Sequence, residues 1–262
     1  MLMLKIRVIP ILSFNGFALV KTKQFENPRM VGNPTQVARV YNSRNVDELV
    51  FVDIFASKQK RKINLAVVKQ VINECFMPVT IGGGVDSIED INNLLRIGAD
   101  KVVVKSVALK NPNFIREAVK IFGSQCIVVS VDVKSVNNEY KVYHYDSEIN
   151  RSAIEFIKEM EDLGAGELFV NDVKNDGMMN GFDVELFNNL CKDTKIPIIA
   201  SGGAGKPEHF SDLLEKVNVT GVAGASIFHY TQFTPFDIKY AINQINLPVR
   251  LFDYHLSEGV NK

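Results

Sequence analysis

Asp132 is the first residue in this sequence that suggests chemistry. It follows the apolar run Val128-Val129-Ser130-Val131. A carboxylate ending so apolar a strand either caps a helix or moves protons with a pKa set by its surroundings, and we read it as the latter. Gly82-Gly83-Gly84 and Gly202-Gly203 also end short apolar runs, and each precedes a helix signal. Glycine lets a backbone approach an anion, and the helix N-terminus adds free N–H groups and a positive dipole. The plainer reading is that these glycines only permit tight turns. The next apolar runs end in Ser106 and in Gly224-Ala225-Ser226. Gly83, Gly84 and Ser106 therefore outline one phosphate cup, and Gly202, Gly203, Ala225 and Ser226 outline a second. Two cups suit a substrate with a phosphate at each end. Lys21 is a candidate phosphate contact from the first loop. Asp53 and Asp176 are further carboxylates, and Asp176-Gly177 reads as a loop over the ligand.

A second charged set lies at the other ends of the same runs. Arg7, Glu48, Lys101 and Glu167 open four of them. Strand alternation puts Arg7 on one face with Ser13, Lys101 with Lys105, and Glu167 with Asn171. If those faces point inward, two cations and two anions meet at one end of the fold, as a structural plug or as the mouth of a path along its axis. Cys75, Cys126 and Cys191 are far apart, show no metal-ligand spacing and read as buried thiols in a reducing compartment. We expect neither a metal site nor a cofactor.

The elements that must hold these residues follow an alternating pattern. Strand candidates are Ile6–Leu12, Leu49–Ile54, Val79–Ile81, Lys101–Val104, Cys126–Val131, Leu168–Val170, Ile196–Ala200 and Gly221–Ala223, with amphipathic stretches between them. Ser87-Ile88-Glu89-Asp90 and Lys110-Asn111-Pro112 are helix-start signals. Eight strands alternating with helices predict an α/β fold, a (β/α)8 TIM barrel, with active groups at the C-terminal ends of the strands. An open doubly wound sheet would carry a dinucleotide glycine motif after the first strand, and none is present. The barrel is expected as a single domain over 1–250, with a tail at 251–262 and an extra hairpin over Lys134–Asn150. Lys+Arg 30 against Asp+Glu 30 gives 30 − 30 = 0 net charge, which argues against bulk nucleic-acid binding. The first residues read as a strand rather than a signal peptide, and no run reaches the ~18 apolar residues of a membrane span. We expect a cytoplasmic protein with neither a nucleic-acid nor a membrane partner.

An internal repeat supports the closed barrel. Pro78 to Ser106 resembles Pro197 to Ser226 at an offset of 197 − 78 = 119 residues, with one insertion near the end. The same offset pairs Glu48-Leu49 with Glu167-Leu168 and Ser13 with Asp132. Two four-strand halves about a pseudo-twofold axis explain that pattern.

These segments bring a family into view. The chain resembles the cyclase subunit of imidazole glycerol phosphate synthase to about Arg250. The match is carried by Asp47-Glu48-Leu49-Val50-Phe51-Val52-Asp53, Thr80-Ile81-Gly82-Gly83-Gly84, Gly98-Ala99-Asp100-Lys101-Val102, Ala200-Ser201-Gly202-Gly203-Ala204-Gly205-Lys206-Pro207 and Ala225-Ser226-Ile227-Phe228-His229-Tyr230. The resemblance implies a glutaminase subunit docked on the N-terminal face of the barrel, with Asp100 at the interface. It also implies that ammonia enters past Arg7, Glu48, Lys101 and Glu167. At the other end the family cyclises a bis-phosphorylated ribulosyl formimino compound, with general acid and base at positions matching Ser13 and Asp132.

The chain departs from that pattern where substrate would bind. Ser13 replaces an aspartate, Lys105 an asparagine, Asn171-Asp172 a Thr-Ser pair, Lys174 an aspartate and Met178 a threonine, and Asp146-Ser147-Glu148 stand where the family has Gly-Gly-Arg. Losing a general acid or base typically costs about 10²–10⁴-fold in rate. The departures lead us to expect a relative that keeps ammonia delivery and changes the acceptor: amidination of a phosphorylated or nucleotide-linked sugar for surface polysaccharide, with Asp132 managing protons. The alternative is the cyclase of histidine biosynthesis, its lost acid replaced by Lys105 or Asp172. A second alternative is a non-catalytic scaffold and ammonia conduit that activates a glutaminase.

Overall fold

Eight short runs rich in Val, Ile and Leu form the strands β1 (Arg7–Phe14), β2 (Leu49–Asp53), β3 (Val79–Gly82), β4 (Lys101–Val104), β5 (Ile127–Val136), β6 (Glu167–Asp172), β7 (Ile198–Ser201) and β8 (Gly221–Gly224). The computed structural model describes residues 4–137, 139–145 and 147–251. Each barrel strand pairs in parallel with the next, and β8 pairs with β1, with Arg7 opposite Gly221 and Ile9 opposite Ala223. The circle closes between β5 and β6, where Asp132 lies opposite Asn171. Strands covered on both faces explain the near-continuous apolar runs, and closure leaves no free edge in the barrel.

Helices α1 (Pro34–Ser43), α2 (Leu65–Asn73), α3 (Ile88–Arg96), α4 (Asn113–Phe122), α5 (Ala153–Asp162), α6 (Val184–Cys191), α7 (Glu208–Leu214) and α8 (Pro235–Gln244) surround the barrel. Their starts follow from local chemistry. The Ser87 side chain accepts from Asp90 N–H while Asp90 reaches back to the Ser87 backbone, a capping box. Thr234 and Asp237 repeat the motif on α8, with Pro235 in the first turn. The start signal Lys110-Asn111-Pro112 opens α4 at Asn113. Pro112 is already helical and α4 has no side-chain cap bond, because a fixed proline φ suits a first turn.

The core has two shells. Leu12, Phe51, Ile81, Phe187 and Phe210 belong to the larger cluster, between strands and helices. Ile9, Val50, Val103, Val128, Phe169, Ile199 and Ala223 form a separate apolar cluster inside the barrel.

The half-barrel duplication is visible in the backbone. Lys105 (φ −137°, ψ −69°) opens the five-residue helix Ser106–Lys110, and Ala225 (φ −125°, ψ −63°) opens the five-residue helix Ser226–Tyr230.

Two excursions break the symmetry. The predicted hairpin after β5 is present as strands Glu139–His144 and Ser147–Ser152, with Lys134 opposite Lys141. The first loop carries a hairpin that its sequence did not signal, Leu19–Lys23 against Glu26–Gly32. It lacks a two-residue Asn-Gly type turn, and Gln24 and Phe25 take positive φ instead. Asp146 and all but the first residue of the expected tail lie outside the described residues. No helix among the described residues is long and apolar enough to cross a membrane.

Candidate active site

The C-terminal ends of the strands surround a cavity of about 200 Å³. Ser13, Lys21, Gly83, Gly84, Lys105, Ser106, Asp132, Asp176 and Ala225 line it. Gly177, Gly202, Gly203 and Ser226 do not. Most of the second cup therefore lies outside this cavity. Its glycines serve close packing: at Gly202 (φ +104°) an added Cβ would stand 2.6 Å from the Asp172 carbonyl oxygen, and at Gly203 2.0 Å from that of Gly181. Gly83 stands in the same way against Asp53, at 2.6 Å.

Asp132 is buried on β5, with both carboxylate oxygens engaged. Lys105 Nζ donates to Oδ2 at 2.5 Å, and Asn171 Nδ2 donates to Oδ1 at 2.9 Å. Asp132 and Asn171 stand on the adjacent strands β5 and β6, and Lys105 directly follows the end of β4. Ser13 stands on β1 in the same cavity. Its hydroxyl cannot take or give a proton as a carboxylate does at neutral pH.

The two symmetry-related serines differ. Ser106 Oγ meets His144 Nε2 at 3.0 Å and Tyr145 Oη at 3.1 Å, both from the excursion after β5. Burial and the Lys105 charge hold the His144 pKa down to about 4, so the ring is neutral near pH 7. Ser226 Oγ, also buried, has no hydrogen-bond partner among the described residues. An orphaned buried hydroxyl is the sort of group a ligand oxygen satisfies.

Lys21 lines the cavity and carries an ion pair besides. Its Nζ donates to Asp176 Oδ1 at 2.7 Å and Oδ2 at 2.9 Å, so its charge is already balanced. The pair ties the first-loop hairpin to the loop after β6. Gln24 N–H donating to the Asp176 carbonyl reinforces the tie, and Gly177 lies where a Cβ would meet the Thr22 carbonyl oxygen. Asp53 is held by Arg61 Nη1 at 2.5 Å and by the N–H groups of Phe55 and Ala56. Its symmetry mate Asp172 has no such cation. It accepts from Lys174 N–H, Asn175 N–H and Asn175 Nδ2, and burial raises its pKa to about 6.

At the opposite end the four charged side chains close into a ring. Arg7 bonds Glu48 at 2.6 Å and also Glu167, while Lys101 reaches Glu48 at 3.1 Å and Glu167 at 2.8 Å. Each cation bridges both anions. Burial opposes ionisation of Glu48, but Lys101, Arg7 and the Thr80 hydroxyl (2.6 Å) outweigh it and leave its pKa lowered. The arginine side chain is 24% exposed and the lysine 21%, so the ring reaches solvent. Gly221 faces the same space, where a Cβ would stand 3.1 Å from Ile9 Cδ1 and 3.5 Å from Arg7 Nη2. Exposed Asp100 accepts from Val79 N–H at this end.

Sequence reasoning missed several contributors. Thr80 was readable, because period 2 places it on the inward face two residues before Gly82. Arg61, His144 and Tyr145 were not. They sit on loops or an antiparallel excursion whose register no short motif encodes. Among the described residues no group of His, Cys, Asp and Glu is arranged to hold a metal ion. The thiols of Cys75 and Cys191 are free and half-buried, with pKa pushed up to about 12 and about 11 by burial.

The fold and the two-ended interior define a duplicated (β/α)8 barrel with a cavity lined by Lys105 and Asp132 at one face and a charged ring at the other. Residues 7–234 match the model of the histidine biosynthesis protein family, and the chain belongs to that family. An Exiguobacterium protein named imidazole glycerol phosphate synthase subunit HisF is 44% identical over 250 residues, covering 95% of this chain and 97% of that protein. A Thermococcus onnurineus protein of the same name is 40% identical over 251 residues, 95% and 99% of the two chains. A Campylobacter jejuni protein named putative imidazole glycerol phosphate synthase subunit hisF2 is 42% identical over 251 residues, 95% and 100%.

Proposed function

We propose that this chain is the ammonia-consuming, acceptor-binding subunit of an imidazole glycerol phosphate synthase-type enzyme, a lyase/cyclase working with a glutaminase. The observation that carries the reading is the pairing of a complete four-membered charged ring at the bottom of the barrel with Asp132 in the cavity at the top. The glutaminase docks at the N-terminal face, around Asp100. Ammonia enters past Arg7, Glu48, Lys101 and Glu167 and meets a phosphorylated acceptor beside Asp132. Ser226, with its orphaned hydroxyl, binds phosphate in the second cup together with the N–H groups around Gly202 and Gly203.

The relatives' names favour the cyclase of histidine biosynthesis, which the sequence reading ranked second. They lend no support to the expected sugar acceptor. That acceptor remains as a second reading for one reason: Ser13 and the Lys105–Asp132 pair depart from the two-aspartate arrangement the resemblance implies. Purified chain given the bis-phosphorylated ribulosyl formimino compound and excess ammonium salt separates the two. Imidazole product is expected. An inert protein that instead converts a phosphorylated or nucleotide-linked acetamido sugar with ammonium would overturn the cyclase reading.

A further inference from the structure

We infer that Lys105 is the second proton-transfer group of this barrel, coupled directly to Asp132 and filling the role vacated at Ser13. The inference rests on the cyclase reading above and deepens it. Three groups compete for the vacancy. Ser13 is in the cavity, but its hydroxyl neither ionises nor holds an extra proton near pH 7. Asp172 has a carboxyl that titrates near neutrality, which suits proton transfer, but geometry removes it: both its oxygens are spent on its own loop, and it does not line the cavity. Of these three, Lys105 alone combines a transferable proton with a direct contact to Asp132 inside the cavity. Its Nζ lies 2.5 Å from Asp132 Oδ2, and its side chain lines the cavity.

That contact gives a balanced cycle. The nitrogen entering the acceptor forms its new bond and passes a proton to the Asp132 carboxylate. The group that departs takes the electron pair of the bond that breaks and receives a proton from the Lys105 ammonium. The pair then stands as carboxylic acid and amine. The proton on Asp132 Oδ2 crosses the existing hydrogen bond to Lys105 Nζ and restores carboxylate and ammonium. No water and no third group is needed for the reset. Asn171 holds the other Asp132 oxygen throughout, which keeps Oδ2 turned toward Lys105.

Arginine and lysine separate proton transfer from simple charge pairing. A guanidinium keeps the ion pair with Asp132 but does not give up its proton in a protein. We expect Lys105→Arg and Lys105→Asn each to lower kcat of the ammonium-driven reaction by about 10²–10⁴-fold with little change in KM. Introducing Ser13→Asp into Lys105→Asn should recover much of that loss, since it supplies the second carboxylate. Thermal unfolding and inorganic phosphate binding, measured on every variant, identify losses that come from misfolding. Wild-type turnover by Lys105→Arg would overturn the proton-transfer role while leaving the cyclase reading intact. Failure of Ser13→Asp to restore a folded Lys105→Asn protein would overturn the link to position 13. Inertness of the wild-type chain toward the ribulosyl compound would overturn the cyclase reading, and this inference with it.

Discussion

Asp132 and Ser226 are both buried polar groups, and their situations predict opposite results on substitution. Asp132 is saturated by Lys105 and Asn171, so Asp132→Asn preserves shape and one hydrogen bond while removing the proton acceptor. Ammonium-driven turnover should fall by about 10²–10⁴-fold with the fold retained. Unchanged product formation in the glutaminase complex would make the barrel a scaffold rather than an enzyme. Ser226 Oγ has no partner among the described residues, so Ser226→Ala breaks no hydrogen bond that they make. Its stability should hold or rise slightly. The affinity for a phosphorylated ligand should fall roughly tenfold or more, the worth of a hydrogen bond to a charged group. Ser106→Ala should behave in the reverse way, losing about 1 kcal/mol of stability with the His144 and Tyr145 contacts. Urea melts beside phosphate titrations of the two variants test the contrast.

At the scale of elements, the strand-to-helix turns decide whether the cavity forms. Gly83 and Gly202 hold positive φ, and a Cβ on either would sit 2.6 Å from the carbonyl oxygen of Asp53 or Asp172. Gly83→Ala and Gly202→Ala should each cost more than about 1 kcal/mol, because the strain and the clash act together. Gly32→Ala is the control, since its φ is ordinary and the nearest atom lies 3.8 Å away, and it should change the urea midpoint little. These turns were legible in the sequence because a glycine pair after an apolar run has a local physical meaning. The eight strands were legible for the same reason, since burial on both faces writes itself as uninterrupted Val, Ile and Leu. The duplication pointed to a closed barrel, and strand alternation pointed to the inward faces of Arg7 and Lys101. The first-loop hairpin was not legible, because its strands carry Lys21, Lys23 and Arg29 and no turn motif, and they are placed by tertiary contacts to Asp176 and Lys174. The same contacts give Lys21 a carboxylate partner that the sequence did not signal. A lone lysine in a loop says nothing of the carboxylate more than a hundred residues away that neutralises it.

For the whole molecule, the charged ring sets the relation between the two ends of the barrel. Glu48 has a folded pKa below its ordinary value, so the unfolded chain binds more protons as pH drops past about 4.5. The stabilisation from Glu48 is therefore complete above that pH and is lost as pH falls through the lowered value. Glu48 therefore stays ionised across the neutral range. Lys101→Met leaves Glu48 and Glu167 sharing Arg7 alone, with both carboxylates nearly buried. Breaking a fully buried pair costs about 3–5 kcal/mol, and partial exposure of Lys101 reduces that figure, so the barrel should stay folded. The apolar cluster above the ring, from Ile9 to Ala223, does not depend on the lysine and should keep its packing. On the proposed route, ammonia made by a bound glutaminase passes the ring, whereas ammonium salt in bulk solution reaches the upper cavity from its open side. Lys101→Met should thus lower glutamine-driven turnover several-fold more than ammonium-driven turnover, with Asp132-dependent chemistry unchanged. Equal losses with both nitrogen sources would mean that the ring is a structural plug and that nitrogen reaches the acceptor by another route.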